Sequence, residues 1–101
     1  MGQQVARVGD TVVGTCRAHK SPRSYTAILT TGSGTVTADG QAVCRVGDIG
    51  VTDCGHTVQI VSGSSVAKAN GIPVARVGDV VIVVEGGDGT IVSGSPTTKS
   101  N

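Results

Sequence analysis

Aromatic side chains are almost missing from this 101-residue sequence: Phe and Trp do not occur, and Tyr25 is the single tyrosine. Aromatics normally supply much of a small core. Val, Ile, Ala and Leu must supply this one, and such a core is marginal alone, so a staple is expected: a metal ion, disulfides or a partner chain. An excess of either charge is missing too. Eight Lys and Arg stand against seven Asp and Glu, for a net charge of +1, which gives no electrostatic case for nucleic acid or an anionic membrane. No apolar run approaches the roughly 20 residues of a membrane span. The opening "MGQQVARVGD" lacks a basic start followed by an apolar stretch, so no signal peptide is read and synthesis in the cytoplasm is expected. Ala6 departs from the myristoylation pattern that a Met-Gly start invites. Three cysteines, Cys16, Cys44 and Cys54, are an odd number for a disulfide framework, and cytoplasmic thiols stay reduced.

What is present is repetition. "VARVGD" at 5–10 returns as "VCRVGD" at 43–48 and "VARVGD" at 74–79. A Gly-Ser marker opens "TGSGTVTADGQ", "SGSSVAKANGI" and "SGSPTTKSN", with Gly32, Gly63 and Gly94 spaced 31 residues apart. Val43 and Val74 keep the same interval, whereas the first copy carries seven extra residues within "CRAHKSPRSY". Sixteen glycines disfavour helix and frequent Val and Thr favour strands; Asp39-Gly40 and Asn70-Gly71 are hairpin signals. The expectation is one all-β domain over 1–101, with repeats at about 2–38, 39–69 and 70–101 and a frayed tail at 97–101. No unit can bury its own apolar face, so the three short hairpin blocks are expected to pack round a shared pseudo-threefold axis. Such an object can sit on a true trimer; the alternative is an old duplication that serves only stability. Arg7, Arg45 and Arg76 each precede Asp10, Asp48 and Asp79 by three residues, read as turn chemistry in preference to a ring of partner contacts.

The repeats also align the metal-type donors. Six residues after Asp10 stands Cys16, six after Asp48 stands Cys54, and six after Asp79 stands Glu85. His19 follows Cys16 in a C-x2-H spacing and His56 follows Cys54 in a C-x-H spacing. Packing about one axis brings these segments together, and two Cys with two His make a closed tetrahedral zinc set. Cys16, His19, Cys54 and His56 are therefore the candidate ligands of a structural Zn2+, with iron also acceptable to such donors. A catalytic zinc would need an open position and a base such as Asp53, Glu85 or Asp88, and no motif supports that, so the chain is read as not an enzyme. Cys44 replaces Ala6 and Ala75 in the hexapeptide and is read as core, not ligand. The residues Lys20, Pro22, Arg23 and Tyr25 of the insertion are expected on an exposed loop near the metal end.

With these motifs in place, "NGIPVARVGD", its weaker copies "DGQAVCRVGD" and "GQQVARVGD", and "SGSSVAKANG" resemble the PAAR-repeat proteins. Only Pro73 keeps the proline of that motif, and the usual ligand set is richer in His. The resemblance implies a conical β-structure with pseudo-threefold symmetry and zinc near its apex, held here by Cys16, His19, Cys54 and His56. It implies a membrane-piercing tip that caps the trimeric β-helical spike of a type VI secretion system or contractile phage tail, one tip per trimer. Transient contact with a target cell envelope and an effector cargo belong to the same implication, as does a final location on a virion or outside the cell through the injection machine. The chain ends soon after the third copy and is expected to be a bare tip. A small metal-dependent hydrolase and an adaptor that docks a separate effector are the alternatives.

Overall fold

After each Gly-Asp turn, residues with a period of two place one set of side chains on each face of a strand. In the computed structural model, residues 3–17, 21–38, 40–64, 66–95 and 99–100 are described. They form an all-β structure: β1 (Gln3–Gln4), β2 (Thr11–Cys16), β3 (Arg23–Leu29), β4 (Thr37–Ala38), β5 (Gln41–Ala42), β6 (Ile49–Thr52), β7 (Thr57–Ile60), β8 (Lys68–Ala69), β9 (Ile72–Pro73), β10 (Val80–Val83), β11 (Gly87–Ile91) and β12 (Lys99–Ser100). Each hexapeptide leads into one hairpin, β2–β3, β6–β7 or β10–β11. The hairpins do more than pack: β3 pairs with β6, β7 with β10, and β11 with β2, so six antiparallel strands close into a barrel. Closure gives every barrel strand a paired neighbour on both sides. Short pairs β4–β5, β8–β9 and β1–β12 stand outside it. Lys99 and Ser100, in the tail expected to fray, pair with Gln4 and Gln3. Asn70 and Gly71 take φ of 56° and 80° in the β8–β9 loop, the left-handed pair that an Asn-Gly hairpin needs.

At the end of the barrel where the hexapeptides lie, the three copies are tied in a closed ring. Ala6 N–H donates to Ala75 O, Ala75 N–H to Cys44 O, and Cys44 N–H to Ala6 O, at 2.9–3.0 Å. Around it Val8 N–H donates to Ala42 O, Val46 N–H to Pro73 O, and Val77 N–H to Gln4 O. Ala6, Cys44 and Ala75 are all 0% exposed, so only small side chains fit where three backbones converge. Each hexapeptide Asp accepts from the backbone N–H and Nε of its own Arg, and from a hydroxyl of the Gly-Ser segment: Ser93 for Asp10, Thr31 for Asp48 and Ser62 for Asp79. The Arg–Asp pairs are thus turn chemistry.

Inside the barrel, Val12, Ala27, Leu29, Val58, Ile60, Val81, Val83 and Ile91 form an aliphatic core. Tyr25 joins them at 3% exposure, which corrects its assignment to an exposed loop. The seven extra residues of the first copy lengthen β2 and β3 as well as their turn, and Tyr25 falls at an inward position of β3. Its ring lies where Gly14 and Gly89 face each other: a Cβ on Gly89 would collide with the Tyr25 hydroxyl. That hydroxyl donates to Asp88 O at 3.0 Å. Burial pushes the phenol up to about 12, with the charges of Asp88, Cys16 and Cys54 adding to the effect. Arg23 opens β3 with an exposed side chain, Pro22 is exposed, and Lys20 lies outside the described residues.

Candidate metal centre

β2 runs away from the ring for six residues, about 20 Å at 3.3 Å per residue, and ends in Cys16 at the far mouth of the barrel. The β6–β7 turn reaches the same mouth and carries Cys54, with His56 at its close. Cys16 Sγ lies 3.2 Å from His56 Nδ1, and Cys54 Sγ 3.6 Å from the same nitrogen. The donor atoms of the three residues all fall within 4.8 Å of one another. Cys16 is buried, while Cys54 and His56 are half-buried.

Thr52 shapes the turn. It is 4% exposed, and its Oγ1 accepts from His56 N–H at 2.8 Å while lying 3.1 Å from Cys54 Sγ, to which its hydroxyl can donate. Its own N–H donates to His56 O at 2.8 Å. This residue was missed in the sequence, although a threonine two places before a turn cysteine, "TDCGH", is the available signal. From the third copy, Glu85 faces the neighbouring strand: its Oε1 accepts from Thr57 N–H at 3.2 Å. Asp88 lies 3.7 Å from Arg17.

The donors fit a metal ion. Tetrahedral zinc, with bonds of about 2.3 Å to sulfur and 2.0–2.1 Å to nitrogen, separates a sulfur from a nitrogen ligand by about 3.6 Å. The two observed spacings are close to that value, so this group can hold a metal ion. Three of the four sequence-predicted ligands, Cys16, Cys54 and His56, are brought together; His19 lies outside the described residues. Cys44 is far along the barrel in the ring, 0% exposed, with its thiol donating to Thr31 O at 3.2 Å. Burial, with the charges of Asp48 and Asp10, pushes it up to about 12.

The PAAR motif model matches residues 1–59. The chain belongs to the PAAR-motif family. The match covers the first two hexapeptides, the long first hairpin and every described residue of the metal centre. PAAR-motif proteins are associated with secretion systems and phage tails, and membership implies association with a spike complex. No curated protein matches the chain. Among the described residues, no helix is long and apolar enough to cross a membrane.

Proposed function

We propose that this PAAR-motif chain is the non-enzymatic tip that caps the trimeric β-helical spike of a contractile injection machine, a type VI secretion system or phage tail, one chain per spike. The observation that carries the reading is the hydrogen-bonded ring of Ala6, Cys44 and Ala75. It ties the three hexapeptide copies into one closed circle, and three like surfaces on one chain would match three like surfaces on a trimer. The short strands at this end supply backbone groups for edge pairing with the spike.

At the far mouth, Cys16, Cys54 and His56 are read as ligands of a structural Zn2+, with His19 as the fourth. Such an ion supplies a crosslink between the first two hairpins, and its binding energy adds directly to folding. The disposition of the acidic residues favours this reading over hydrolysis, since Glu85 is engaged by Thr57 and Asp88 lies beside Arg17. The test is native mass spectrometry of the chain mixed with its trimeric spike protein. One chain per trimer is the expected result; equimolar binding or none overturns the cap.

A further inference from the structure

The metal centre contains two thiols where one ion needs both, and they differ in access. Cys54 sits half-buried in a turn, outside the paired strands, whereas Cys16 is fully buried at the end of β2. Their sulfurs lie within 4.8 Å of each other, and both approach the same His56 ring nitrogen. The third thiol, Cys44, is at the opposite end of the barrel and hydrogen-bonded to Thr31 O. We infer that Cys16 and Cys54 are a redox pair, and that this site holds either a metal ion or a Cys16–Cys54 disulfide.

The chemistry is ordered by access. With a low-molecular-weight disulfide such as oxidised glutathione, the Cys54 thiolate attacks one sulfur of the oxidant. The oxidant's S–S bond breaks and one glutathione thiolate leaves. Cys16 Sγ then attacks Cys54 Sγ and displaces the second glutathione. Two electrons pass from the chain to the oxidant, and the two thiol protons end on the glutathione thiolates or in solvent. A disulfide of about 2.05 Å requires the sulfurs to close, by side-chain rotation and movement of the 53–55 turn. Both sulfurs are consumed, so metal and disulfide exclude each other. Yet both link the end of β2 to the β6–β7 turn. Resting here on the injection-tip reading, a chain made where thiols are reduced and delivered where they are oxidised keeps a crosslink at the same place in both.

The test uses the reduced full chain loaded with Zn2+ and then treated with oxidised glutathione. Expected are release of the bound equivalent to a chromophoric chelator, a fall in titratable thiols from three to one, a peptide map joining residues 16 and 54, and reversal by dithiothreitol. Cys44→Ala should fall from two thiols to none, and Cys54→Ser should form no internal bridge. Retention of all three thiols, a bridge to Cys44, a bridge between chains, or metal kept alongside the disulfide overturns the inference. A reduced chain that takes up no metal overturns both the metal reading above and the exchange. The thiol count, read separately, is then the arm that shows whether the pair oxidises.

Discussion

The two ends of the barrel are built on opposite rules. At the ring end the three copies repeat the same chemistry: small residues at Ala6, Cys44 and Ala75, an Arg–Asp pair in each turn, and a hydroxyl from the Gly-Ser segment on each Asp. At the far mouth they diverge: Cys16 from the first, Cys54 and His56 from the second, and from the third Glu85, which bonds to backbone. The donor cluster draws on the first two copies only, while the third turns its carboxylate to the backbone of the neighbouring strand. Backbone closure, by contrast, demands a small residue three times. Repetition marks where geometry is shared; its loss marks where chemistry is local.

The largest expected effect falls at the mouth. Cys16→Ser or Cys54→Ser should lose the full metal equivalent and lower the melting temperature by more than about 10 °C, measured by metal analysis and calorimetry. Full metal retention in either variant would remove the mouth's distinction. Next comes the ring end. Asp10→Asn, Asp48→Asn and Asp79→Asn should each cost about 1–3 kcal/mol in urea unfolding, with the three values agreeing within about 0.5 kcal/mol. A threefold spread among them would show that the copies are not equivalent at this end. Thr52→Val keeps the three donors but removes their support, and should weaken metal affinity about 10-fold in a chelator competition.

A pH titration sharpens the comparison by reaching both regions through buried neutral groups. Cys44 at the ring and Tyr25 in the barrel both hold their protons up to about 12 in the folded chain, against 9.0 and 10.0 ordinarily. Once the pH passes the ordinary value, the unfolded chain has released the proton and the folded chain still binds it. Stability therefore falls with rising pH, from about 9 for Cys44 and 10 for Tyr25, towards 12. Cys44→Ala should remove the earlier part of that decline. The smallest effect is on the metal: the same variant should retain its full equivalent.

Much of this was legible because the repeat is local. The hexapeptides and Gly-Ser markers disclosed three hairpins, and counting six residues from each Asp placed Cys16 and Cys54 at one end together. Asn70-Gly71 announced its turn. Barrel closure was not legible, because pairing of β11 with β2 joins residues more than 70 apart by backbone groups that every sequence possesses. Tyr25 departs from the exposed-loop expectation because the insertion lengthens the strands themselves, and "RSYTAIL" alternates with Tyr, Ala and Leu inward. Thr52 was missed because its hydrogen bonds depend on how the turn folds back. The fourth predicted donor, His19, falls outside the described residues.

The ring of Ala6, Cys44 and Ala75 has one more consequence. A homotrimer closing the same circle would come apart on dilution, and its stability would depend on subunit concentration. Here all three sectors belong to one polypeptide, so closure is unimolecular. A single copy is as well assembled as a crowd of them, and no search for two sisters precedes its folding.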